Sequence, residues 1–225
     1  MDSTRSHKQN IILSTELYVV TDRLISGYRN QKDIVRAAIS GGARMIQLRD
    51  KELDVHSLTM LGKALRSIIP RESVLFIIND DVEVALDVDA DGVHLGQDDM
   101  PVAEAREMLG DDAVIGLSTH SITQAREAHK LDIDYFNVGP VFKTNTKATS
   151  IMPVGTQLVK EVSKFATIPF TVMGGINLAN IDKTIKSGAE RIAVVSAAVA
   201  APDVESACTE LVKAIKKSKN SRLEI

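Results

Sequence analysis

The chain contains one cysteine, Cys208. That excludes an internal disulfide and any cysteine-rich metal site. Cys208 falls in a late helical pattern, where it reads as a small buried apolar residue, and a lone thiol fits a reducing cytosol. No run of about 18 apolar residues occurs, so no membrane span is expected. The opening MDSTRSHKQNIILSTELYVV lacks the apolar core and small-residue cleavage site of a secretory signal. Nor does one charge dominate: 27 basic and 30 acidic residues give a net charge of -3. This argues against nucleic-acid binding through bulk charge and leaves room for a local basic pocket. No linker or low-complexity segment divides the chain. The expectation is one cytoplasmic domain with no nucleic-acid and no membrane partner. The exposed helical faces leave homo-oligomer formation open.

The 225 residues are 44% hydrophobic, enough for a sizeable core. Short apolar runs recur along the sequence: LYVVTD, ARMIQLRD, VLFIIND, GVHLGQ, AVIGLST, YFNVGPV, PFTVMGG and RIAVVSA. Helical patterns such as QKDIVRAAIS and ACTELVKAIKKS separate them. Asp54 and Ser121 read as helix openers, and Gly41 and Gly188 as closers. Strands that are apolar throughout are covered on both faces, as in parallel sheets. Eight strand-helix units at a repeat of about 24 residues indicate a single-domain α/β (β/α)8 TIM barrel. An open doubly wound sheet is the alternative, lowered by the absence of GxGxxG after the first strand. Residues 1–15 read as an N-terminal tail and lead-in, 16–217 as the barrel and 218–225 as a C-terminal tail.

A barrel places its chemistry at the C-terminal strand ends, and unusual polar residues cluster there. Strand 2 ends in Gln47, Arg49 and Lys51, which period two puts on one side. Two cations aimed at a barrel mouth are costly without a partner, which an anionic ligand would supply; emergent surface charges are the plainer reading. Asp80 and Asp99 end strands 3 and 4. Two carboxylates suit Mg²⁺, which keeps waters and takes phosphate oxygens as well. Equally, and more ordinarily for two aspartates alone, they cap the helices that follow. Asn79 can donate to and accept from the edge of a heterocycle. Ser118 stands at the end of strand 5, while His94 reads as a satisfied core histidine and His120 as structural. The stretch GPVFKTNTKATS after strand 6 carries Thr144, Thr146 and Lys147 and no carboxylate, a composition suited to phosphate. Gly174 and Gly175 let backbone approach a ligand after strand 7 or merely form a tight turn, and Ser196 offers a hydroxyl after strand 8. Together these suggest two anion subsites: a metal-bound diphosphate near Asp80, Asp99, Ser118 and Lys147, and a monophosphate near Gly175, Val195 and Ser196.

The motifs QLRDK, ND, ADGVHLGQDD, GLSTH, VGPVFKTNTK, GGIN and VVSA follow one another in the order found in thiamine-phosphate synthases. Over roughly residues 16 to 200 the sequence resembles that family. The resemblance implies a transferase that joins a hydroxymethylpyrimidine diphosphate to a thiazole monophosphate, two phosphorylated small molecules, with Mg²⁺ as cofactor. Carried over by position, Asp80 and Asp99 correspond to the Mg²⁺ ligands. Gln47, Arg49, Lys51, Asn79, Ser118 and Lys147 correspond to contacts with the pyrimidine diphosphate, and Arg49, Ser118 and Lys147 to the catalytic group. Thr144, Thr146, Gly175, Val195 and Ser196 correspond to thiazole phosphate contacts. The family often has proline where Lys143 stands and an acid shortly after the lysine, where this chain reads KATS.

Two other readings stay open. A thiazole tautomerase shares the fold, but in that group a histidine follows the strand 6 glycine, where this chain has Pro140. A noncatalytic thiazole-phosphate-binding barrel would need no metal.

Overall fold

The computed structural model describes residues 4–144 and 152–223. Eight strands close into a parallel barrel in sequence order. They are β1 (Leu17–Val20), β2 (Met45–Leu48), β3 (Leu75–Asn79), β4 (Gly92–Leu95), β5 (Val114–Thr119), β6 (Tyr135–Val138), β7 (Phe170–Val172) and β8 (Ile192–Val194). Each lies within one of the eight apolar runs. The ring closes through β1 and β8, with Leu17 opposite Ile192 and Val19 opposite Val194. The outer layer runs α2 (Gln31–Ser40), α3 (Val55–Arg66), α4 (Val82–Val88), α5 (Val102–Leu109), α6 (Ile122–Ala128), α7 (Gly155–Ser163), α8 (Ile181–Lys186), the short α9 (Ser196–Val199) and α10 (Val204–Leu223). Every β1, β2 and β4 residue is buried, because helices cover the outside of the strands and neighbouring side chains fill the inside.

Local signals explain several helix starts. Asp54 accepts from the Ser57 amide at 2.8 Å and Ser121 from the Gln124 amide at 3.1 Å, satisfying N–H groups that the first turn leaves without partners. Gly41 follows the last residue of α2, and its amide returns to Ala37 O at 2.9 Å.

Two differences from the sequence reading lie at the ends. The expected lead-in is a helix, α1 (Thr4–Ser14), lying under the N-terminal rim of the barrel. Its polar sequence hides this, because only Ile11 and Ile12 are buried and its anchors are distant in sequence. Arg5 Nε donates to Asp134 Oδ1 at 2.9 Å, and Arg191 Nε donates to Ile12 O at 2.8 Å. At the other end, α10 continues past residue 217 as one helix to Leu223.

The same rim holds two buried aspartates that tie strands to helices. Asp91 accepts from Arg66 Nη1 and from the Phe76 amide, each at 2.8 Å. Asp134 accepts from Arg106 Nη2 at 3.0 Å and from the Ile115 amide at 2.9 Å. Both carboxylates are therefore committed to partners within this rim.

Candidate active site

At the C-terminal mouth a cavity of about 980 Å³, counted out to its open side, is lined from all parts of the ring. Ten of the residues expected from sequence line it: Gln47, Arg49, Lys51, Asn79, Asp80, Ser118, Thr144, Gly175, Val195 and Ser196. They converge from remote positions because a parallel barrel points every C-terminal strand end at the same mouth. Asp99 is not among the residues that line it, and Thr146 and Lys147 lie outside the described residues.

The alternation in β2 and its exit holds: Gln47, Arg49 and Lys51 all face the cavity. The two cations, however, have carboxylate partners within the protein. Arg49 Nη1 donates to Asp22 at the end of β1, and Lys51 Nζ to Asp80 Oδ2 at 2.5 Å. The expectation that these cations need a ligand as partner is corrected accordingly.

Asp80 does not cap the helix after it. Its neighbour Asp81 takes that role, accepting from the Val84 amide at 2.9 Å. Asp80 adopts φ 64°, a left-handed conformation uncommon for a residue with a side chain. Such strain persists where surroundings over-determine it, as at functional sites. Asp99 also escapes capping, since Pro101 precedes α5. Its Oδ2 instead accepts from the Gly96 amide at 2.6 Å. The capping alternative is thus overturned for both aspartates.

The two carboxylates influence each other. Burial opposes ionisation of Asp80, but Lys51 outweighs it and holds the carboxyl below its ordinary value. Asp99 sits above its ordinary value, first through partial burial and then through the negative charge of Asp80, against the pull of the Gly96 amide.

On the far side, Gly175 has φ 63° and its α-carbon is packed against the β6 loop. Val141 N donates to Met173 O and Phe142 N to Gly174 O, each at 2.9 Å, zipping that loop to the end of β7. Thr144 is thereby carried beside Gly175 and Ser196, where a second, shallower cavity opens that Lys143 also lines. Lys143 itself is exposed.

Sequence reasoning missed several wall residues. His94 is buried as expected, but it also lines the cavity. Its ring is held on both nitrogens, by Tyr135 Oη at 3.0 Å and Ser118 Oγ at 2.9 Å. Asn137 lines the wall and accepts from Thr171 Oγ1 at 2.9 Å; period two from Tyr135 would have found it. His120 lines it too, with Nδ1 2.5 Å from Gly139 O.

Residues 17–198 match the family model described as thiamine monophosphate synthase. The chain belongs to the thiamine monophosphate synthase family. It is 42% identical over 202 residues to the thiamine-phosphate synthase of Shouchella clausii, covering 90% of this chain and 97% of that protein. It is 43% identical over 200 residues to the thiamine-phosphate synthase of Chloroflexus aurantiacus, covering 89% and 92%. Among solved structures, thiamine phosphate pyrophosphorylase from Pyrococcus furiosus superposes with TM-score 0.82 at 36% identity, covering 94% of this chain and 98% of that one. The protein is therefore a transferase of thiamine biosynthesis. It condenses hydroxymethylpyrimidine diphosphate with thiazole phosphate to give thiamine phosphate and diphosphate. Among the described residues, no helix is long and apolar enough to cross a membrane.

Proposed function

We propose that the mouth of the barrel is divided between the two substrates of this condensation. Gln47 and Asn79 meet the pyrimidine, and Arg49, Lys51, Ser118 and Lys147 meet its diphosphate. Thr144, Thr146, Gly175, Val195 and Ser196 hold the thiazole phosphate. The observation that carries this division is the contrast between the two walls. Arg49, Lys51 and the Asp80 carboxylate line the mouth after β2 and β3, and the Thr144 and Ser196 hydroxyls with Gly174 and Gly175 line it after β6 to β8.

Asp80 and Asp99 fit Mg²⁺. They are two carboxylates perturbing each other, both released from helix capping, and Asp80 lines the cavity in which phosphate oxygens would lie. Bound there, Mg²⁺ supplies positive charge to the departing diphosphate. The chain's own residues do the rest. Arg49 and Lys51 exchange Asp22 and Asp80 for phosphate oxygens, so that cations already fixed at the mouth meet the charge that develops on the leaving group. The bond from the pyrimidine methylene carbon to the diphosphate oxygen breaks, and its electron pair leaves on the diphosphate. The aminopyrimidine is electron-rich enough to stabilise the resulting carbocation, so the substitution is dissociative. The lone pair of the thiazole nitrogen then forms the new carbon–nitrogen bond. That nitrogen carries no proton, so the step needs no general base, and the histidines of the wall need not serve as one. Two substrates held in line at the barrel mouth account for much of the rate. We assign the reaction to the cytosol, in keeping with the single unpaired and buried Cys208.

The test is an assay of thiamine phosphate formation with Mg²⁺ or with EDTA, repeated for Asp80→Asn and Asp99→Asn. Mg²⁺-dependent product that both substitutions suppress is the expected result. Unchanged turnover in EDTA, or in both variants, would remove these aspartates from the reaction.

A further inference from the structure

The second cavity at the mouth differs from the first in its charge. The two adjoin, since Thr144, Gly175, Ile176 and Ser196 line both. Ile25, Lys143, Asn177 and Ala197 line only the second, which measures about 1150 Å³ counted out to its open side. Among the described residues that line it, Lys143 alone carries a charge, and none is a carboxylate.

The described lysines and arginines that line the two cavities are Arg49, Lys51 and Lys143. Arg49 is paired with Asp22 and Lys51 with Asp80. Lys143 forms no ion pair among the described residues. Its main chain is nonetheless fixed. Phe142 N, next to it, donates to Gly174 O at 2.9 Å. Lys143 O packs so closely on Gly175 that a Cβ there would stand 2.5 Å from it. The ammonium thus rides on a four-carbon stem from an anchored root. The other polar groups of this cavity are neutral. Asn177 uses its amide within its own loop, donating to Gly175 O at 3.3 Å and accepting from Ala179 N at 2.9 Å. A phosphate monoester carries a charge of about -1.5 to -2 near pH 7. The Thr144 and Ser196 hydroxyls can donate hydrogen bonds to such a group, but they do not balance its charge.

We propose that Lys143 is a specificity-determining residue: its ammonium supplies positive charge to the phosphate of the thiazole substrate and so selects the phosphorylated thiazole over the corresponding alcohol. This rests on the reading above that Thr144, Gly175 and Ser196 hold that phosphate. Arg49 and Lys51 must each give up a carboxylate before they meet a ligand. Lys143 has none to give up, so its charge is open to the first anion that enters the second cavity. The residue is exposed, and an exposed ion pair is weakened by salt. Its effect therefore falls on the KM for thiazole phosphate, depends on ionic strength, and leaves the chemical step alone.

The test is Lys143→Met, with Lys143→Arg as the variant that keeps the charge, in steady-state kinetics at low and high NaCl. An exposed, unpaired side chain costs the fold little when it is replaced. Lys143→Met should raise the KM for thiazole phosphate about threefold to tenfold at low salt and flatten its rise with salt. In the same variant, kcat and the KM for the pyrimidine diphosphate should stay within about twofold, as should every constant of Lys143→Arg. The thiazole alcohol, used as a competitive inhibitor against thiazole phosphate, should keep its inhibition constant in Lys143→Met, because it offers no anion. An unchanged KM for thiazole phosphate, an equal weakening of the alcohol, or a rise confined to the pyrimidine diphosphate overturns the proposal. The reading beneath it is tested apart, by Ser196→Ala. An unchanged KM for thiazole phosphate in that variant removes Ser196 from the subsite. A raised KM in Ser196→Ala with none in Lys143→Met leaves the subsite standing and removes Lys143 alone.

Discussion

Gly175 and Gly27 have nearly the same backbone conformation, φ 63° and φ 66°, in very different surroundings. A Cβ at Gly27 would meet nothing within 4 Å. At Gly175 it would stand 2.5 Å from Lys143 O and 2.9 Å from Phe142 Cβ. Changing each to alanine separates strain from steric displacement. Both substitutions force a side chain into the left-handed region, which costs about 1–2 kcal/mol. In a chain of this length that lowers the melting temperature by about 2–8 °C. Gly27→Ala should show this loss with both KM values unchanged.

Gly175→Ala should do more. Lys143 O is a backbone atom tied in beside two hydrogen bonds, from Val141 to Met173 and from Phe142 to Gly174. It cannot swing aside as the tip of a side chain would. The β6 loop must part from the end of β7 and carry Thr144 away from Ser196. Hydrogen bonds to a charged phosphate contribute about 1.5–3 kcal/mol each, so losing one raises the KM for thiazole phosphate by about tenfold to a hundredfold. The KM for the pyrimidine diphosphate, for which we propose the opposite wall, should change far less. Steady-state kinetics with each substrate varied in turn measures both. A folded Gly175→Ala protein with an unaltered KM for thiazole phosphate would refute the subsite, and equal increases in both KM values would refute the division of the cavity.

Three other outcomes are expected. Asp134→Ala leaves Arg106 buried without its inner carboxylate at the rim away from the site; calorimetry should show a loss of about 3–5 kcal/mol, or about 6–20 °C, with KM values intact in the folded fraction. Lys51→Met removes the charge that holds the Asp80 carboxyl below its ordinary value against burial. A depressed carboxyl stays ionised until pH falls through its lowered pKa, so the substitution should move the acid limb of the kcat/KM profile to higher pH; an unmoved limb would show that Lys51 does not set it. Burial pushes the Cys208 thiol up to about 12, so at pH 8 iodoacetamide should label it only at the rate of unfolding; prompt labelling of the native protein would contradict its burial between α2 and α10.

The barrel was legible because its strands are continuous apolar runs and its chemistry must lie just beyond them. In β2 the same period that builds the strand sorts Gln47, Arg49 and Lys51 onto one wall. What stayed hidden depends on partners distant in sequence or on a single backbone angle. The helix α1 is specified less by its own weak pattern than by Asp134, 129 residues beyond Arg5. In the NDD stretch the sequence does not distinguish which aspartate caps α4; the left-handed turn at Asp80 gives that role to Asp81. His94 was read as a core residue, a description that is true of its ring and incomplete for its place in the wall. The concealed pairing with the largest consequence joins Arg49 to Asp22 and Lys51 to Asp80. Seen in sequence, the two cations looked like charges awaiting an anion. With their carboxylates in place, ligand binding becomes an exchange of anions rather than the filling of an electrostatic void. On the division of the cavity proposed above, a diphosphate would compete with Asp22 for Arg49 and with Asp80 for Lys51. A divalent cation held by Asp80 would then free Lys51 for the phosphate, so metal and diphosphate should each strengthen the binding of the other.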